Sequence, residues 1–200
     1  MKKVTEVEPH GGSLVNLMVD EARAAVLKEI SMSLPDVILT NRQLCDLELL
    51  ASGAFSPLNG FMSRIDYESV LDRMRLQSNV LWPIPVCLGI SDIQAKTLEA
   101  GQSVTLRDEE GFLLAIMHIE DIWPVDREKE ATLVYGTTDR SHQGVEYLFN
   151  TEGDHYLGGE IEVLSLPLHF DFKQLRMTPL EIRNIYRKLG WHRVVGFQTR

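Results

Sequence analysis

"TPLEIRNIYRKLGWHRVVGFQTR" runs from Thr178 to Arg200 and holds both a bounded helix and the beginning of a strand. Thr178 and Glu181 stand at capping-box spacing, and Pro179 takes the first helical position, where a missing N–H costs nothing. Ile182, Ile185, Tyr186 and Leu189 form an apolar stripe at helical period, and Gly190 supplies a left-handed stop. Behind it, Arg193 to Phe197 is apolar without alternation, the pattern of a strand covered on both faces. A helix feeding such a strand through a glycine turn is half of an αβ repeat, the unit of parallel sheets. Gln198, Thr199 and Arg200 then fall at the carboxyl edge of that strand, where open α/β sheets place ligands.

The chemistry of that triplet favours an oxyanion. Arginine offers a planar fork of donors, glutamine a neutral donor and threonine a hydroxyl, a set suited to sulfate, phosphate or carboxylate. A second reading stands beside this one: the three residues simply begin a solvated loop, since loops of open sheets are polar whether or not they bind anything.

Upstream, the grammar is different. A helix is expected from about Val19 to Ile30, and a second from Thr40, where Thr40 and Gln43 match a capping box and Leu44, Leu47, Leu50 and Ala51 follow at helical spacing before Gly53. Ser63 and Asp66 open a third helix that turns Tyr67, Val70, Leu71 and Met74 inward. From Pro83 to Leu88, two prolines confine the chain to an extended edge. Val104 and Leu106 alternate with polar residues, Asp108 to Gly111 make a turn, and Phe112 to Ile119 is an apolar run of strand length. These elements describe a small, partly closed β-structure flanked by helices.

The composition limits the partners. With 20 Lys and Arg against 29 Asp and Glu, the chain carries −9, which argues against a surface that neutralises a nucleic-acid backbone. Cys45 and Cys87 are far apart and lack metal spacing, so neither a disulfide framework nor a zinc site is expected, and a reducing cytosol fits. MKKVTEVEPHGG breaks into acids, proline and glycines before any apolar core, unlike a secretion signal, and no apolar run approaches membrane-spanning length. His142 and His118 have no ligand partner at metal spacing, and a structural hydrogen bond is expected for each. His155 and His169 stand near loops with no role selected by spacing. Asp108, Glu109 and Glu110 read as an exposed turn, and Asn59 to Met62 as a loop tucked against the core.

Five blocks in order give the chain a resemblance to the ATP sulfurylase (sulfate adenylyltransferase) family: "LCDLELLASGAFSPLNGFM" at 44–62, "WPIPVCL" at 82–88, "YGTTDRSHQGV" at 135–145, "LHFDFKQLRMTP" at 168–179 and "GWHRVVGFQTR" at 190–200. In the third block, glutamine stands at 143 where the family usually has proline. The resemblance implies an α+β chain. Residues 1–167 would form a PUA-like mixed β-barrel domain with flanking helices, and residues 168–200 the first αβ unit of a Rossmann-like nucleotidyltransferase domain. It implies the reaction of ATP with sulfate to give adenosine 5'-phosphosulfate and pyrophosphate, with magnesium entering as MgATP rather than through protein ligands. Gln198 and Arg200 would hold sulfate and contact ATP, while Thr199 and Arg200 would act at the reacting groups.

The family's Gln-Thr-Arg-Asn-Pro segment leads to a His-x-x-His motif, and only its first three positions are matched here. The chain alone is therefore expected to be incompetent. The resemblance also implies a cytoplasmic homo-oligomer, with no membrane and no nucleic acid as partner. The alternative is that the PUA-like part is an RNA-binding or structural interaction module, since such domains bind RNA in other proteins.

Overall fold

The computed structural model describes residues 8–197. Its strands are β1 (Asp36–Ile38), β2 (Gly60–Phe61), β3 (Leu88–Ile90), β4 (Ser103–Arg107), β5 (Leu113–Pro124) and β6 (His155–Val163). Its helices are α1 (Glu21–Ser31), α2 (Asn41–Ala51), α3 (Arg64–Arg73), α4 (Asp92–Ala95), α5 (Arg127–Glu130), α6 (Gln143–Asn150) and α7 (Pro179–Leu189). A π-helical turn, Ala131–Tyr135, continues α5 directly.

The strands make one sheet in the order β1, β4, β5, β6, β2, and β3 shares the outer edge of β6 with β2. β1 runs parallel to β4, and every other pairing is antiparallel. The spine is the β5–β6 pair, in register from Ala115 opposite Val163 to Pro124 opposite His155. That register shifts between Ile119 and Asp121. The extra residue, Glu120, is exposed, and Trp123 beyond it is buried again. A bulge has this effect, since the side-chain period of two would otherwise send every later apolar residue to the wrong face. It explains why the strand outruns the apolar run that ends at Ile119.

Local signals place most of the helices. The α2 capping box is formed, with Thr40 Oγ1 accepting from Gln43 N and Gln43 Oε1 accepting from Thr40 N at 3.0 Å. Leu47, Leu50 and Ala51 on its inner face are fully buried against Leu39, Leu106, Met117 and Leu157, and each such leucine contributes about 2 kcal/mol of apolar transfer. Ser63 caps α3, which buries Tyr67, Val70 and Leu71. Asp108 closes the β4–β5 turn by accepting from Phe112 N at 2.7 Å. Gly60 lies so close to the Gly159 carbonyl that a Cβ there would collide with it, which keeps the Asn59 to Met62 segment pressed on the core.

Several expectations are corrected. The first helix begins at Glu21 rather than Val19, with Asp20 as its cap. Met74 leaves α3 in a left-handed conformation and is exposed. Of the Pro83 to Leu88 edge only Leu88 is strand, because pairing with β6 starts after the two prolines. The sheet is open rather than a barrel: its border strands have two or three residues, too few ladder bonds to curl round and meet. The expected strand from Arg193 to Phe197 is irregular chain, with Val195 92% and Phe197 90% exposed. A strand needs a neighbour to complete its hydrogen bonds, and all six paired strands lie between residues 36 and 163. Of the αβ unit expected there, the described residues form the helix alone.

Candidate functional site

The segment leading to the expected anion ligands is built around α7. Thr178 N donates to the Glu181 carboxylate at 2.7 Å and Thr178 Oγ1 accepts from Glu181 N at 3.3 Å, closing a capping box with Pro179 at the first position. The Thr178 N–H and hydroxyl, both donating to that carboxylate, hold it below its usual range. Gly190 ends the helix at φ +67°, and Trp191 N returns to the Tyr186 carbonyl at 2.9 Å, so the two rings stack with centroids 5.9 Å apart. The apolar stripe of α7 and the chain after it enclose an open groove of about 380 Å³, lined by Pro179, Ile182, Tyr186, Trp191 and Val194. No residue from 168 to 197 is buried. Gln198, Thr199 and Arg200 lie outside the described residues.

The charge of this segment differs from the rest. Seven of the 20 basic residues but two of the 29 acidic ones fall after residue 167, leaving that part at +5 and residues 1–167 at −14. The contrast is legible in the sequence once the charges are counted by segment rather than over the whole chain. The two parts of the chain therefore carry opposite net charge.

Sequence reasoning missed a second constellation, at the far end of the β5–β6 pair. Glu130 is 6% exposed and accepts from Tyr67 Oη at 2.9 Å and from Tyr156 Oη at 3.1 Å. Burial pushes its carboxyl up to about 7 against the pull of the two phenols, with Glu152 adding to the rise. Asp46 and Glu152 are also raised, again chiefly by burial, and burial pushes the Cys87 thiol well up. The Arg42 guanidinium lies 4.4 Å from the centre of the Tyr147 ring. All of these but Tyr67 line a cavity of about 30 Å³, room for a water-sized guest. No local pattern separates Glu130 from its exposed neighbour Glu128; its partners are 63 and 26 residues away along the chain.

Four of the histidines have defined neighbours. His142 caps α6, its Nδ1 accepting from Gly144 N at 3.2 Å. His118 bridges Ser103 and Glu162, each at 2.9 Å. His169 meets the Glu48 carboxylate at 2.9 Å, tying the start of the last segment to α2. His155 Nδ1 is buried with Asp92 at 4.0 Å. Asp108, Glu109 and Glu110 form the turn between β4 and β5, and Cys45 and Cys87 are free thiols. Among the described residues no group of three or more His, Cys, Asp or Glu side chains is arranged to hold a metal ion, and no helix is long and apolar enough to cross a membrane.

Comparison with known proteins adds identity to this geometry. The model of the PUA-like domain family matches residues 7–166. Over 196 residues the chain is 45% identical to a sulfate adenylyltransferase of Aspergillus fumigatus, and 42% identical to one of Mycosarcoma maydis, matching 96% of this chain and 34% of each relative. A sulfate adenylyltransferase of Eremothecium gossypii is 41% identical, over 97% of this chain and 39% of its own length. The chain thus spans about a third of the length of these curated relatives. Among solved structures, the hexameric APS kinase from Thiobacillus denitrificans superimposes with a TM-score of 0.72 at 34% identity, over 92% of this chain and 32% of that one.

Proposed function

The chain belongs to the PUA-like domain family, and from that premise we propose that it is the leading part of a sulfate adenylyltransferase, with the PUA-like body in residues 1–167 and the nucleotidyl-transfer domain beginning at 168. The observation that carries this reading is the 41–45% identity to sulfate adenylyltransferases along nearly the whole chain. The basic segment after residue 167 supports it, because both substrates of such an enzyme, sulfate and MgATP, are anions.

In the proposed reaction a sulfate oxygen attacks the α-phosphorus of ATP, the bond to the bridging oxygen breaks, and pyrophosphate leaves with its electron pair. The protein's part is to bring two anions together and to offset the charge that builds between them. Gln198 and Arg200 hold sulfate and reach the nucleotide, Arg200 through its planar fork of donors. Thr199 orients the reacting groups. Magnesium arrives with ATP as part of the substrate. The whole protein works as a cytoplasmic homo-oligomer, and the PUA-like body packs against catalytic domains. RNA binding by that body has less support, since −14 on residues 1–167 would repel a phosphate backbone.

The chain covers about a third of its relatives, so it holds one wall of the proposed site and not the phosphate-binding histidines of the family motif. Purified, it is expected to form no adenosine 5'-phosphosulfate from ATP and sulfate, and no ATP from adenosine 5'-phosphosulfate and pyrophosphate. Robust turnover in either direction would overturn this division of labour.

A further inference from the structure

The β5–β6 pair closes at Pro124 opposite His155, so residues 125–154 form an excursion whose two ends are already pinned by the sheet. Arg127 ties the excursion to itself, donating to the carbonyls of Leu148, Glu152 and Gly153 at 3.0–3.1 Å and to the Asp154 carboxylate at 3.1 Å. Ala131, Val145 and Leu148 give it a small core of its own. Its internal ties are therefore separate from the β5–β6 ladder.

It is fastened to the rest by Val125 and Val134, which pack on the Tyr67, Leu71, Trp123 and Tyr156 cluster, by Arg42 over the Tyr147 ring, and by a buried polar group. Glu130 sits where α5 gives way to the π-helical turn, and its carboxylate meets Tyr67 from α3 and Tyr156 from β6. From α2, Arg42 and Asp46 line the same cavity, as does Cys87 from the approach to β3. Within the excursion itself, Tyr135, Tyr147 and Glu152 line it too, and Asp126 lies close enough to act on Tyr67. Three carboxylates and one guanidinium thus share a small, largely enclosed space.

We propose that Glu130 is a proton-controlled latch: neutral, it holds residues 125–154 against α3 and β6; ionised, it faces Glu152 and Asp46 in the same cavity and that segment loosens. The ionised carboxylate keeps both phenol hydrogen bonds but adds a buried negative charge beside two other acids, with Arg42 as the one cation among the groups lining the cavity. The sign follows from the raised carboxyl. The docked state keeps its proton up to about pH 7 and the opened state only to about its ordinary 4.5. Attachment is strongest on the acid side, weakens as pH rises through that window, and levels off above it. The π-helical turn beside Glu130 is a backbone feature often found where a helix must yield.

The test is amide hydrogen exchange on the 200-residue chain, followed by peptide and corrected for the intrinsic pH dependence of exchange. Between pH 5 and pH 7.5 the opening constant of residues 127–150 should rise at least tenfold relative to peptides of β5 and β6, and in Glu130→Gln it should stay level. Tyr67→Phe removes a donor that favours the ionised form, so its transition should move to higher pH. Equal opening at both pH values in the unmodified chain, or an undiminished rise in Glu130→Gln, would overturn the latch. Should Glu130→Gln fail to fold, a carbon-13 titration of the Glu130 carboxyl decides the matter: a midpoint near 7 supports the proposal, and one below 5 refutes it.

Discussion

At the scale of single residues, the clearest electrostatic lever outside the cavity is Glu162. Arg23 donates to it twice at 2.7 Å, and His118 adds a third contact at 2.9 Å. The Arg23 hydrogen bonds are the main reason its carboxyl is held down to about 2. A depressed acid contributes stability that is present above its ordinary 4.5 and lost as pH falls toward 2. A fully buried pair with this depression would be worth about 3 kcal/mol; with Arg23 45% exposed, about 1 kcal/mol is expected here. Urea unfolding from pH 2.5 to 7 should therefore show an acid limb that is shallower in Glu162→Gln by that amount, and identical limbs would remove the pair from the stability of α1 on the sheet. Legibility at this scale was uneven. His142 and His118 read as structural because nothing in their spacing offered a metal partner, and each is held by hydrogen bonds to its neighbours. Glu130 was invisible because its burial is imposed by α3 and β6, which no window around residue 130 contains.

At the scale of elements, what is written locally appeared where the sequence put it. Among the described residues three capping boxes form, at Thr40, Ser91 and Thr178, and two of them were foreseen from residue spacing alone. The α2 box is also wired to the sheet, since Gln43 Nε2 donates to the Gly89 carbonyl at 2.8 Å. Thr40→Ala should accordingly cost about 1 kcal/mol. Gln43→Ala should cost about 2 kcal/mol, because it also leaves a sheet carbonyl without its donor. Chemical unfolding midpoints check both, and equal costs would mean that the link to Gly89 carries no weight. What depends on distant partners was harder to read. The two-residue strand β2 exists because β6 lies beside it, and the apolar run at 193–197 is not a strand because no strand lies beside it. Val-Val-Gly-Phe records a preference for a covered environment, and the covering must come from elsewhere.

At the scale of the whole molecule, two unlike parts share one chain. An acidic body, built on a six-stranded open sheet, buries its core between residues 27 and 163. A basic segment follows, carrying one well-capped helix, exposed apolar side chains and the three residues on which the anion-binding proposal rests. A β-structure flanked by helices and the helix of the second part were legible from pattern; the open sheet, the bulge at Glu120 and the charge division were not drawn from it. The central proposal is that residues 168–200 supply one wall of an adenylyl-transfer site. It is tested most directly by joining this chain to the portion of the Aspergillus fumigatus relative that follows the matched region, and measuring sulfate-dependent release of pyrophosphate from ATP. Turnover by the joined protein is expected, with a loss of at least a hundredfold in Arg200→Ala. A folded joined protein that turns over equally well with alanine at 200 would contradict it.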